Sequence, residues 1–291
     1  MPPPPETNPP PPAETLAHFP TLKGDEFHPK GWDFPTSLNT AGCTWLAALR
    51  DLYNQPVTFP ASLSPQAGML LHALVRNTRP RVLIEVGMFC SISTHWMAAA
   101  LLENGCTPGE DAVIHCFDNF APIERDHWRS AEMLQGRLDF VKDRLKAAGL
   151  LDFVRIHPGD SPVEIPNTWD QLQAAGGIDF AFLDGDHTIQ GTLADFAATE
   201  PVLNTGGYVI LHDTFPTECG GHQGPRHVLD HIRTAQPQPK PKARKRPRTP
   251  DTKKDTPAPH NNQPVGEGTY DRTDIYLDPT NYGLGLLRRL T

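Results

Sequence analysis

No apolar run in this chain approaches the ~20 residues needed to span a bilayer. The first residues also lack the basic side chains and apolar core of a secretion signal. Cysteine is scarce: Cys43, Cys90, Cys106, Cys116 and Cys219 show no paired spacing and no zinc-type signature. Their odd number and apolar settings favour reduced thiols and a cytoplasmic location. Apolar residues are few as well, 38% of the total, but the shortage is local. Eight of the first twelve residues are Pro, and eight more Pro fall between Gln236 and Pro264. Such tracts cannot bury enough apolar surface to offset the entropy of ordering. Residues 1–37 therefore read as a disordered leader turning globular near Phe27–Phe34. Residues 38–291 read as one domain, interrupted by a disordered basic, Pro-rich insert at about 235–268. A homodimer is left open.

The formal charge of −8 hides an asymmetry. Residues 240–254 hold eight Lys/Arg and one Asp, a local +7, which leaves −15 for the rest. An acidic body disfavours nucleic acid, so the basic tract is the one candidate for such a partner.

Between the Pro-rich tracts the pattern alternates. Helical spacing covers Thr44–Tyr53 and about Ser64–Arg76, with Pro65 at the tolerated first position. Then come a strand at Val82–Val86, a helix at Ser93–Glu103 capped by Ser93, and a strand at Val113–Phe117. A long helix through Leu134, Leu138, Val141 and Leu145 reaches Ala148 and leads to a strand at Phe153–Ile156. A helix at Trp169–Ala175, a strand at Ile178–Leu183, a helix at Gln190–Glu200 and a strand at Tyr208–Leu211 follow. After a helix at Arg226–Arg233 and the insert, strands at Asp274–Leu277 and Gly283–Arg288 close the chain around a turn at Pro279–Tyr282. The implied fold is α/β: a Rossmann-like, seven-stranded, mostly parallel sheet with helices on both faces and the last strand antiparallel at an edge. The insert should lie at the amino ends of the strands, away from the ligand crevice.

Two apolar runs end in charge: Ile178–Leu183 in Asp184-Gly185-Asp186-His187, and Tyr208–Leu211 in His212-Asp213. At the carboxyl ends of parallel strands these groups share the crevice where ligands of open α/β sheets bind. Clustered acids there point to a metal, a cationic ligand or proton transfer. After Val82–Val86 the turn from Gly87 has Phe89 and Ser91 where a Gly-x-Gly-x-x-Gly loop needs glycine. A pyrophosphate dinucleotide is thereby disfavoured. Glu85 can meet a cationic group and Asp118 a pair of ribose hydroxyls; each fits a structural helix partner equally well.

The stretch Leu83–Ser93 resembles the first motif of class I S-adenosylmethionine-dependent methyltransferases, of the small-molecule O-methyltransferase type represented by catechol and caffeoyl-CoA O-methyltransferases. The helix beginning Ser64-Pro65-Gln66-Ala67-Gly68 is similar to the one preceding that motif. Phe117–Phe120, Leu183–Gly191 and Gly206–Thr214 are similar to a bacterial branch with cephalosporin-modifying and sugar O-methyltransferase-like proteins. The resemblance covers roughly residues 62–215. It implies S-adenosylmethionine as cofactor and a hydroxylated small molecule as substrate. Glu85, Gly87, Phe89, Ser91 and Ser93 would surround the methionine part and ribose, Asp118 the ribose hydroxyls, and Asp160 and Ser161 the adenine edge. Ser91 departs from the glycine usual in relatives. Asp184, also within reach of the cofactor, with His212 and Asp213 would hold a divalent cation, Mg²⁺ or Mn²⁺; the histidine suits Mn²⁺, Fe²⁺, Zn²⁺ or no metal. His187 stands where relatives carry a catalytic Lys and would take the hydroxyl proton. Asp186 and His187 equally fit the cap of a helix starting at Thr188.

Cys219, His222, His227 and His231 show no complete ligand spacing and read as solvated or substrate-facing, with Phe215–Gly224 as a substrate lid. Two competing readings remain: a non-catalytic binding protein of the same fold, and a nicotinamide-dependent oxidoreductase, against which the missing glycines count.

Overall fold

The apolar runs pair side by side. A computed structural model describes residues 31–121, 136–216, 222–235, 264–276 and 283–291. It joins β1 (Val82–Val86), β2 (Val113–Asp118), β3 (Val154–Pro158), β4 (Ile178–Leu183) and β5 (Leu203–His212) with β6 (Ile232–Thr234), β7 (Val265–Ile275) and β8 (Leu284–Arg289). The eight strands form one sheet of order β3-β2-β1-β4-β5-β8-β7-β6. Chain order reverses between β1 and β4, which opens a crevice at their carboxyl ends.

Alternate residues of each strand face opposite layers. Leu83, Phe180, Phe182 and Ile210 pack under α1 (Thr44–Tyr53), α2 (Pro65–Thr78), α3 (Ile92–Glu103) and α4 (Arg137–Ala147). Val82, Ile84, Val86, Ala181 and Leu211 face α5 (Ser161–Asn167), α6 (Trp169–Ala174), α7 (Ile189–Thr199) and α8 (Gln223–His231). β1, in the middle, is buried along its whole length, hence its unbroken apolar run.

Several expectations need correction. Among the described residues the sheet has eight strands rather than seven: the three-residue β6 follows α8 directly and is too short to show a period. β7 begins at Val265, inside the span assigned to the insert. Its start is pinned by the buried Glu200, whose carboxylate accepts from the amides of Glu267 and Gly268 and from the Tyr270 hydroxyl. The antiparallel strand β8 is not at an edge: it sits between β5 and β7. Ser93 does not cap α3; the cap position is Ser91, with no side-chain cap bond. The stretch 31–37, read as leader, contributes Trp32 and Phe34 to the first layer's packing, and Trp32 donates its indole N–H to the Thr58 carbonyl.

The expected leader before residue 31, Leu134, Cys219, the basic tract 240–254, Leu277 and the turn Pro279–Tyr282 lie outside the described residues. Among the described residues, no helix is long and apolar enough to cross a membrane.

Candidate active site

A crevice of about 850 Å³ opens over β1, β2, β4 and β5, a volume within the range of small-molecule sites. Of the residues singled out from sequence, Gly87, Phe89, Asp118, Asp160, Ser161, Asp184, His187, His212 and Asp213 line it. Glu85, Ser91 and Ser93 do not.

Glu85 is wholly buried behind the crevice wall. Its carboxyl accepts from Ser93 Oγ and Thr94 Oγ1, both at 2.5 Å, and from Cys116 Sγ at 3.2 Å. Burial pushes its pKa up to about 7, against the pull of these three donors, with nearby Asp184 adding to the rise. The β1–α3 turn that faces the crevice is held in left-handed backbone at Gly87 (φ 86°), Phe89 (φ 45°) and Ser91 (φ 67°). Glycine is preferred there, so Ser91 keeps the loop geometry at a cost of roughly 1 kcal/mol. A Cβ on Gly87 would come within 2.1 Å of the Asp184 carbonyl, so no other residue fits where β1 and β4 separate.

Asp118 ends β2 at the crevice floor, and its carboxylate is already engaged. Arg137 donates to both oxygens, at 3.0 and 2.7 Å, while the amides of Phe89 and Phe120 donate at 3.0 and 2.7 Å. Both side chains are nearly inaccessible, 6% and 8% exposed, and the guanidinium lies over the Phe120 ring. Sequence reasoning missed Arg137; its one signal was a basic residue in a helix's first turn, where the dipole disfavours it.

Beside the end of β2, Asp160 precedes α5 and Ser161 opens it. Ser161 Oγ donates to Asp195 Oδ1 at 2.6 Å. Burial pushes Asp195 up to about 6, and Asp186 adds to the shift against the Ser161 bond. Asp195 was also missed, although an acid amid Leu193-Ala194 and Phe196-Ala197-Ala198 stands out in α7.

The β4 and β5 ends form a compact acid–imidazole cluster. His187 Nε2 lies 3.1 Å from Asp184 Oδ1 and 3.2 Å from Asp213 Oδ2. His212 Nδ1 lies 3.0 Å from Asp184 Oδ1 and 3.3 Å from Asp213 Oδ1. Burial alone would lower the pKa of His187, but the Asp184 bond and the charges of Asp213 and Asp184 outweigh it and raise it above 6.5. The same imidazoles hold Asp184 well below the usual carboxylate range despite its burial. Asp213 sits in left-handed backbone (φ 58°), a strain that recurs at functional positions. The helix cap is Thr188, not His187: its side chain accepts from the Gly191 amide, while Asp186 accepts from the Thr188 amide. His222 reaches the cluster as well, its ring stacked 4.5 Å from that of His187. His227 and His231 stack on each other at 4.0 Å, along α8.

Residues 84–214, which span the crevice strands, match the family described as a methyltransferase domain. Solved structures show the same fold. An O-methyltransferase from Bacillus cereus, in complex with SAH, is 16% identical with a TM-score of 0.53, covering 84% of this chain and 91% of that one. The O-methyltransferase TomG from Streptomyces achromogenes, involved in tomaymycin synthesis and in complex with SAM, is 18% identical with a TM-score of 0.52, covering 84% and 90%. A methyltransferase from Geobacter sulfurreducens is 16% identical with a TM-score of 0.52, covering 88% and 92%.

Proposed function

We propose that the protein transfers a methyl group from S-adenosylmethionine to a hydroxyl of a small molecule. The observation that carries this reading is the crevice itself. In a chain matching the methyltransferase family, the β1–α3 turn, Asp118, Asp160-Ser161 and the Asp184–His187–Asp213 cluster all line one crevice. The fold neighbours named as O-methyltransferases with SAM or SAH bound support the choice of donor and acceptor.

The protein's task in such a transfer is alignment and removal of one proton. In-line displacement at the methyl carbon requires the acceptor oxygen opposite the sulfonium, and holding both in one crevice supplies most of the acceleration. His187 is the proton acceptor. With Nε2–H donated to Asp184, Nδ1 keeps the free lone pair, and Asp184 and Asp213 stabilise the imidazolium that forms. Of the residues assigned to the cofactor, Gly87, Phe89, Asp118, Asp160, Ser161 and Asp184 line the crevice and in this reading would touch it. Glu85, Ser91 and Ser93 act one step back, by shaping the turn. The oxygens of Asp184 and Asp213 and the ring of His212 form a donor set that fits a divalent cation such as Mn²⁺ or Mg²⁺; when bound, it would draw a hydroxyl into place and acidify it. The four free thiols among the described residues, Cys43, Cys90, Cys106 and Cys116, fit a reducing cytoplasm. A homodimer remains compatible with this reading.

The test is calorimetric titration of S-adenosylmethionine into the full chain, followed by SAH release with a panel of phenols, catechols and sugars. Binding with turnover is expected, with kcat lowered about 10²- to 10⁴-fold in His187→Ala. In wild type, kcat should climb with pH through a midpoint above 6.5, because only neutral imidazole accepts the proton. Cofactor binding with no turnover on any acceptor would favour a binding protein; no binding at all would end the methyltransferase reading.

A further inference from the structure

Three donor atoms that belong to three separate segments meet beside the cluster described above. His187 follows β4, Asp213 follows β5, and His222 precedes α8. Each offers one ligand atom, and the three atoms lie within 4.8 Å of one another. We propose that His187, Asp213 and His222 form a two-nitrogen, one-oxygen site for a borderline divalent transition metal of the Zn²⁺, Co²⁺ or Mn²⁺ type. Neither imidazole is among the positions that the family resemblance marks for metal.

Two of the three spacings are already close to what coordination needs. A tetrahedral ion with bonds of about 2.0–2.1 Å puts its ligand atoms about 3.3 Å apart. Asp213 Oδ2 lies 3.2 Å from His187 Nε2 and 3.7 Å from His222 Nε2. An ion would take the place of the proton that an imidazole now shares with the carboxylate. The two rings are near-parallel, 18° apart, and present the same kind of nitrogen to one oxygen.

The backbone is stitched together at the same place. The His222 amide donates to the Asp213 carbonyl at 2.8 Å, and the Gly224 amide donates to the His187 carbonyl at 3.1 Å. The start of α8 is thus tied to both other donor residues. Gly224 permits this approach: a Cβ there would lie 2.5 Å from the His187 carbonyl oxygen and 2.4 Å from that of Thr188. Asp213 is buried, with Oδ1 making no hydrogen bond and Oδ2 turned to the two imidazoles. Its strained backbone aims the carboxylate at the crevice.

Ligand chemistry sets the selectivity. Two imidazoles and one carboxylate suit ions from Mn²⁺ to Zn²⁺, whereas Mg²⁺ seeks oxygen and gives up water reluctantly. A metal here would also compete with the proton-accepting role proposed for His187. The site needs neither S-adenosylmethionine nor turnover, so it stands or falls apart from the methyl-transfer reading.

The experiment is equilibrium titration of Co²⁺, Zn²⁺ and Mg²⁺ into untagged full-length protein without cofactor. Co²⁺ binding is followed by visible absorption and by hyperfine-shifted imidazole proton signals. Expected are one tight Co²⁺ or Zn²⁺ ion, at least two shifted imidazoles, and affinity for Mg²⁺ at least tenfold weaker. His222→Ala and His222→Asn should each weaken Co²⁺ binding at least tenfold, with unchanged far-ultraviolet circular dichroism. His227→Ala, in the stacked pair outside the site, should leave it unchanged. The shifted signals are read on the wild type, so the site can be judged even if a variant misfolds. No Co²⁺ binding, fewer than two shifted imidazoles, equal affinity in folded His222 variants, or loss in His227→Ala would each overturn the proposal.

Discussion

At the scale of single residues, the crevice is built from charges whose partners decide what a substitution does. Glu85 illustrates the sign. Its folded pKa, about 7, exceeds the ordinary glutamate value of 4.5, so between those values the folded protein holds a proton that the unfolded chain has released. Stability attributable to Glu85 therefore falls as pH rises across that window, by up to ~3 kcal/mol. Urea unfolding of Glu85→Gln at pH 5 and pH 8 should show a shallower loss than wild type; an equal loss would place the titration elsewhere. Asp118 carries a different consequence. Removing it leaves the Arg137 guanidinium, 6% exposed, without its partner, at about 3–5 kcal/mol. Asp118→Ala should accordingly be much less stable, while Asp118→Ala/Arg137→Met recovers most of the loss in the same unfolding assay. Additive losses would mean the pair is not coupled. Lost cofactor affinity in Asp118→Ala alone thus reads stability as well as binding.

Among elements, helix α3 is the clearest case of tertiary context overriding local pattern. Ten of its twelve residues, Ile92 to Leu101, are buried, because it lies between α2 and the sheet. Trp96 crosses from α3 to α2 over Gly68, and its indole donates to the Tyr53 hydroxyl, which donates to the Leu63 carbonyl. A Cβ on Gly68 would lie 1.9 Å from the indole nitrogen, a contact with a rigid, buried ring. Gly68→Ala gains up to about 1 kcal/mol of helix propensity, but overpacking costs about 1–3 kcal/mol or more. A net destabilisation near 2 kcal/mol is expected by denaturant midpoint; a stabilised variant would show that the ring relocates freely. The elements themselves were legible wherever burial is one-sided or complete over several residues. β1 and β4 match their expected bounds, Val82–Val86 and Ile178–Leu183. Of β7 only Asp274 and Ile275 were anticipated, while the elements missed outright, β6 and α5, are a three-residue strand and a seven-residue helix with two prolines. Neither is long enough to display a period.

For the whole molecule, the sheet continues past β5 through β8, β7 and β6, so these three strands complete the fold. Residues 236–263 join β6 to β7, and the strand they lead into starts at Val265, ten residues before its crevice end at Ile275. Replacing 236–263 with a flexible linker is therefore expected to leave S-adenosylmethionine affinity within about threefold, since doubling a loop's length costs only about 0.6 kcal/mol. A larger loss, measured by calorimetry on the otherwise intact chain, would assign that segment a part in the site.

The sequence by itself determined the layered α/β fold and the two acid-bearing strand ends. Period, turn chemistry and run length are local properties, and five buried strands in alternation leave few ways to close a sheet. Tertiary structure alone decided which side chains face the crevice. Glu85 and Asp118 both stand near strand ends, yet one turns into the helix layer to meet Ser93 and Thr94 and the other opens onto the crevice against Arg137. It also brought His222 to His187 and Asp213, across 35 and 9 residues of chain. Such meetings depend on where helices begin and how deep strands run, and no local spacing encodes them.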